Sequence, residues 1–258
     1  TDFAGNKSLT KLLEKKIESE INGSLKYGLI SSKKRGSEFV GEEVNRQVIY
    51  SGGIDFSSTS LSATDLEDDS KAVLNSSLSS GLNLGVLFIV SPNYHLKTEL
   101  AYQQISFTEA STFTISNLSN NYFRISTHNQ FLVNDNFRYQ VGVDLEQLPF
   151  LHAQGTSRLV IDPIISIKPS LGIEYDFYRY AYLDLGLSLN YLYLTSRETQ
   201  NFNLEPGQEF STKLYIKYFT KNYETKLSIY SRKVEQNSEV FDHEFTSSGV
   251  NLSIAQKF

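Results

Sequence analysis

Residues 244–258, EFTSSGVNLSIAQKF, decide how the rest of the chain is read. Val250, Leu252, Ile254 and Phe258 fall on one side of a period-two pattern. Gly249, Asn251, Ser253, Ala255 and Lys257 fall on the other. Successive side chains of a strand point to opposite faces, so this pattern describes a strand that is apolar on one face and polar on the other.

Outward from that segment the alternation recurs. Leu82, Leu84, Val86, Phe88 and Val90 share one parity, turn through residues 91–93, and continue as Tyr94, Leu96, Thr98, Leu100 and Tyr102. Phe123, Ile125, Thr127, Phe131 and Val133 lead to a turn around Asp135, and Phe137, Tyr139, Val141, Val143 and Leu145 lead out of it. Ile165, Ile167, Leu171, Ile173, Tyr175 and Phe177 follow, then Leu183 to Tyr193 and Phe210 to Tyr218 at every second residue. Tight connections are expected at Gly52-Gly53, Pro92, Asp135, Tyr178-Arg179 and Lys221-Asn222. Long polar ones are expected at 32–39, 65–71, 109–119, 149–156, 197–207 and 236–243. Before all this, Leu9, Leu12, Leu13, Ile17 and Ile21 recur at helical spacing, which predicts an amphipathic helix over residues 1–20.

An alternating closing strand that ends on Phe resembles the last strand of a Gram-negative outer-membrane β-barrel, although Gln256 departs from the usual apolar residue there. The alternation of short and long connections fits the same class, whose periplasmic turns are short and external loops longer. The fold class expected is therefore all-β: a transmembrane antiparallel up-and-down barrel of about twelve strands over residues 21–258. Residues 1–20 would be a periplasmic helix or a plug in the lumen. The resemblance implies the bacterial outer membrane, contact with its lipid and lipopolysaccharide, and recognition of Phe258 by the barrel-insertion machinery. It leaves room for a protein partner at the external loops or the N-terminal helix.

Composition agrees with this class. The chain has 258 residues, a net charge of −5 and a mean hydropathy of −0.30. An acidic balance argues against a nucleic-acid partner. Cys is absent, which excludes disulfides and thiolate metal sites. No apolar run approaches the roughly 20 residues of a membrane helix, whereas barrel strands show only alternate residues to lipid. Tyr and Phe gather near strand ends, in keeping with two aromatic girdles, and a soluble sandwich or lipocalin-like barrel does not require strands this long.

Assigning the apolar parity to lipid leaves the other parity for the lumen. The pore-lining set expected from it is Lys213, Lys217, Lys226 and Arg232 on one wall, facing Glu99, Asp144 and Glu146 on the other, with Arg124, Glu174 and Asp184 between. Pairing about the turns puts Arg124 opposite Glu146, His128 opposite Gly142, Glu174 opposite Asp184, and Lys217 opposite or diagonal to Lys226. The lumen is then polar and is not an apolar ligand cavity. Walls of opposite charge are how pores select solutes, so a porin-like passive channel for small polar or charged solutes is expected. The alternatives are a non-conducting structural or docking barrel and an autotransporter translocation domain. No catalytic residue, cofactor or metal site is expected. Ser126 and His128 fall on the lumen side, where a phospholipase-type barrel would need them outside, and Asp242-His243 alone is a weak match to the omptin proteases. The four His show no metal-ligand spacing.

Overall fold

The computed structural model describes residues 47–109, 114–153, 158–199, 203–220 and 222–257. The helix expected over 1–20, the start of the barrel expected from residue 21 and Phe258 lie outside these residues. Fourteen strands follow in order: β1 (Gln47–Asp65), β2 (Lys71–Ser91), β3 (Tyr94–Ser106), β4 (Thr108–Glu109), β5 (Thr114–Ser116), β6 (Ser119–Leu132), β7 (Phe137–Ala153), β8 (Arg158–Tyr180), β9 (Leu183–Leu194), β10 (Arg197–Glu198), β11 (Asn203–Leu204), β12 (Gly207–Phe219), β13 (Tyr223–Asn237) and β14 (Phe241–Lys257). Ten of them form the wall, β1, β2, β3, β6, β7, β8, β9, β12, β13 and β14, each antiparallel to its neighbours. The β1–β2 and β1–β14 ladders close the ring. A closed ring leaves no strand edge for a neighbouring chain to pair with.

The barrel thus has ten strands among the described residues, not about twelve. One cause is visible at Gly52-Gly53, which does not turn but runs inside β1. A Cβ on Gly53 would press on the Asn83 side chain, the Leu252 carbonyl and Ser253. The glycine there serves close packing of the lumen wall. Residues 149–153, within a stretch expected as loop, instead extend β7. The turn expected at Tyr178-Arg179 falls later, at Ala181 and Tyr182, because a bulge between Asp176 and Tyr178 lengthens β8. That shift pairs Arg179 with Asp184 and Glu174 with Ser188, so the expected Glu174–Asp184 pair does not form. The other expected pairs do: Arg124 opposite Glu146, His128 opposite Gly142, and Lys217 opposite Lys226.

Outward-facing residues form an apolar belt. Leu82, Leu84, Leu100, Ile125, Val143, Leu171, Leu214, Ile229 and Leu252 all stand exposed on the outer face. Exposure of so much contiguous apolar surface marks contact with lipid. Tyr175, Phe177, Tyr180, Tyr218 and Tyr223 rim the short-turn end, and Tyr102, Tyr191, Tyr193 and Phe210 the other. On β12 the span from Phe210 to Tyr218 is roughly 26 Å at about 3.3 Å per residue. That suits a lipid-facing band of about 25 Å.

Beyond the outer aromatic rim the two faces exchange character. The face of β1 that carried Ile54 and Phe56 continues as Ser58, Ser60 and Ser62, while its inner face changes from Asp55 and Ser57 to Leu61 and Ala63. On β3 the outer face passes from Leu100 and Tyr102 to Gln104 and Ser106, and the inner face reaches Ile105 and Phe107. β13 passes from Ile229 to Ser231, Lys233 and Glu235 outside and reaches Val234 inside. Water surrounds this upper part, so it is built like a soluble protein, apolar within and polar without.

The inner apolar residues form one core. It joins Leu61, Leu74, Ile105, Phe107, Tyr122, Leu148, Phe150, Leu151, Ile161, Leu194, Val234 and Phe245. The β7–β8 hairpin supplies its centre. The β6–β7 ladder stops at Arg124 opposite Glu146 and the β8–β9 ladder starts at Ser170 opposite Leu192, so the hairpin tip leaves the wall. Pro149 stands opposite Pro163. Neither proline has an N–H to offer a neighbouring strand, which suits a bend out of the sheet. Leu148, Pro149, Phe150, Leu151 and His152 are buried in succession. A wall strand would bury only alternate residues on its inner face; here both faces are covered. β7 comes into contact with β1 and β14, which lie across the ring from it. His243 Nε2 of β14 donates to the Leu151 carbonyl at 2.7 Å, and its ring meets Phe150 edge-on. The hairpin therefore crosses the outer mouth and caps it.

Candidate functional site: the interior of the barrel

Three layers of side chains lie below the cap, each placed by the inward parity of the wall. The upper layer is an ion-pair cluster. Lys168 Nζ of β8 binds Glu146 of β7 and lies 2.7 Å from Glu209 Oε2 of β12. Arg232 of β13 grips Glu146 through two nitrogens, at 2.7 and 2.6 Å, and Glu209 at 2.7 Å. β13 stands four places from β7 around a ring of ten, so the Arg232–Glu146 pair spans the bore. Lys168 is 0% exposed and Glu209 2%. Two cations and two carboxylates close on one another, and the charge of each is met by fork-like or bifurcated hydrogen bonds.

The lowest layer gathers on Asp176, itself fully buried. Its carboxylate accepts from Arg138 at 2.8 Å, Arg179 at 2.9 Å, Tyr215 Oη at 2.7 Å and Lys217 at 3.4 Å. Gly186 lies directly opposite Tyr215, and a Cβ there would strike the phenol ring. The bare backbone is what lets that ring lie flat over β9. Asp184 pairs with Arg179 at 3.2 Å.

Between these lies a looser middle layer. Glu99 pairs with Lys97 at 2.7 Å and with Arg124 at 3.7 Å. Glu174 pairs with Arg138 at 3.1 Å. His128 Nε2 and Asp144 are 2.8 Å apart, and Tyr230 donates to Asp55 at 2.8 Å. Lys213 and Lys226 make no ion pair among the described residues. Lys226 Nζ sits 4.1 Å from the Tyr215 ring centre, and Lys217 Nζ sits 4.5 Å from the same ring.

The ten residues expected to line the lumen share the inner parity of their strands, but the interior is not two walls facing across water. Arg232 and Glu146, expected on opposite walls, are in direct contact. Asp144, Glu174 and Asp184 each take a partner on their own or a neighbouring strand. The expectation that the interior is polar throughout is corrected by the cap, because apolar parity marks lipid only within the belt and core above it. Glu209, Asp176 and Tyr215 carry the clusters and were outside the expected set. The signal for Glu209 and Tyr215 was available, since they share the parity of Lys213 and Lys217.

Ser126 and His128 lie on the lumen face, and the His128 ring is engaged with Asp144. Asp242 and His243 are adjacent in β14 and so point to opposite faces. His243 is committed to the cap. Among the described residues no group of three or more His, Asp or Glu is arranged to hold a metal ion.

No protein-family model matches the chain, and no curated protein matches it in sequence. Solved structures match it in fold. The outer membrane protease OmpT of Escherichia coli aligns with a TM-score of 0.55 at 10% identity, covering 86% of this chain and 100% of that one. An outer membrane channel from Pseudomonas putida F1 aligns at 0.48 and 10% identity, covering 86% and 99%. The translocator domain of the autotransporter NalP from Neisseria meningitidis aligns at 0.40 and 9% identity, covering 96% and 98%. At such identities the likeness is one of fold. With its lipid-facing belt, the fold is that of an outer-membrane β-barrel.

Proposed function

We propose that this chain is a closed barrel of the outer membrane that serves as a structural or docking component of the envelope and does not pass solutes as a porin does. One observation carries the reading: the bore is bridged by Arg232, Glu146, Lys168 and Glu209, with Lys168 fully buried. A hydrated pore would leave such groups wet. The apolar cap above adds a second seal. The outer surface then offers the contacts: lipid and lipopolysaccharide around the belt, and the exposed acidic turn at 65–70 for a protein partner. At its tip, hydrogen bonds from Ser70 hold the Asp68 carboxyl below the ordinary carboxylate range.

The porin-like reading rests on the middle layer, where Lys213 and Lys226 remain half-exposed within the lumen. It requires both seals to open. Although OmpT is a protease, catalysis is not part of this proposal, because His243 is taken up by the cap and Asp242 faces away from it. Swelling of proteoliposomes in small sugars and salts tests the proposal. Swelling no faster than in empty liposomes is expected, and swelling at porin-like rates would refute a closed barrel.

A further inference from the structure

The middle layer holds cations that its own carboxylates do not satisfy. Lys217 and Lys226 are direct cross-strand partners, and like charges in that position repel. Lys217 is relieved by Asp176 at 3.4 Å. Lys226 lies over the face of Tyr215, and its counter-charge, Glu174, is shared with Arg138. Lys213, one level higher, has no ion pair among the described residues, and neither ammonium has a hydrogen bond there. The nearby carboxylates are shared: Glu99 pairs with Lys97 and Arg124, Glu174 with Arg138, and Asp55, which accepts from the Tyr230 hydroxyl, is divided between Lys213 and Arg124. Glu174 acts electrostatically on Lys226, and the like charges of Lys217, Lys213 and Lys97 act against it. Removing charges from bulk water is costly where the counter-charge is shared, and half-buried cations in a narrow chamber draw an anion.

Solvent reaches the chamber, since the Lys97, Glu99 and Arg124 side chains keep 37%, 22% and 31% of their surface. Its wall from β14 through β1 to β2 carries Ser253, Asn251, Gly53, Gly81 and Gly85 on the inner parity, small or uncharged residues around the carboxylate of Asp55. The ion-pair bridge and the cap close it from the outer side, which leaves entry from the short-turn, periplasmic rim. Lipid phosphate cannot reach the interior of the wall, so the ligand is a free one.

We infer that the periplasmic half of the lumen is a binding chamber for a small oxyanion, a phosphate or carboxylate group, held between the ammonium groups of Lys213 and Lys226. The chamber goes beyond the closed-barrel reading and does not depend on it, since binding at equilibrium needs no conduction.

Inorganic phosphate is the probe. The folded full chain in lipid nanodiscs is titrated with phosphate against chloride at constant ionic strength, and the unfolding temperature is followed. The wild type should show a saturable rise, on the order of 3–6 °C at tenfold excess over the dissociation constant. The double variant Lys213→Gln, Lys226→Gln should lose at least tenfold in phosphate affinity. Lys233→Gln, which alters an outer-surface ammonium, should bind as the wild type does. Folding of each variant is checked by its heat-modifiable mobility. No saturable rise in the wild type overturns the inference. So does an undiminished rise in the folded double variant, or an equal loss in Lys233→Gln, which would mean a general salt effect. Should the double variant fail to fold, Lys226→Gln alone is used: a several-fold weaker phosphate response supports the chamber and an unchanged one overturns it.

Discussion

Lys168 is the residue on which the bore turns. Its ammonium is fully buried and joins Glu146 to Glu209. Removing one partner of a buried ion cluster leaves the others uncompensated, at a cost of about 3–5 kcal/mol. Lys168→Met should lower stability by that much in urea unfolding from lipid, since Arg232 then keeps two carboxylates with only Arg124, opposite Glu146, to help. A loss under about 1 kcal/mol would mean that water already reaches the cluster. Lys233 is the contrast. It pairs with Glu235 and Glu244 at 2.6 and 3.1 Å on the outer surface. Exposed pairs contribute about 0–1 kcal/mol, so Lys233→Ala should be nearly silent in the same measurement.

The element that most changes the picture is the β7–β8 hairpin. Phe150 is 2% exposed in the core of the cap. Phe150→Ala should cost about 3–5 kcal/mol locally. Amide exchange should quicken through residues 147–153 and 158–165 while the belt strands stay protected. Equal quickening across the barrel would show that cap and wall unfold as one unit. This hairpin was also the least legible element in the sequence. Pro149 reads as a loop residue when its neighbours are unknown, and only the facing Pro163 explains a bend within a paired hairpin. The strands around it were legible from alternation alone, as Leu82 to Val90 and Leu183 to Tyr193 attest. Period two assigns residues to faces. It does not say whether the apolar face meets lipid or a core, so the change of apolar parity from Ile54 to Leu61 and from Leu100 to Ile105 has no meaning until the core above the rim is known. Gly52-Gly53 misled for a related reason: two glycines signal a turn locally, and the close approach of Asn83 and Ser253 is a long-range fact. In the interior, parity gave the inward residues, but partners depend on register. A single bulge near Asp176 moved Asp184 from Glu174 to Arg179.

At the scale of the whole molecule, the belt and the two seals make separate claims. Leu214 lies midway between Phe210 and Tyr218 on the outer face of β12 and is 55% exposed. Arg at the bilayer midplane of a barrel costs about 2–4 kcal/mol, whereas a surface position in water tolerates it within about 0.5 kcal/mol. Leu214→Arg should therefore destabilise the barrel in lipid by the larger amount, and a silent substitution would deny the belt. The closed bore is the central claim, and single-channel current in a planar bilayer tests it most directly. The wild type should carry no steady current, while a variant with Arg232→Ala and residues 149–163 replaced by a tight turn should conduct. Steady ohmic current through the wild type would contradict the account.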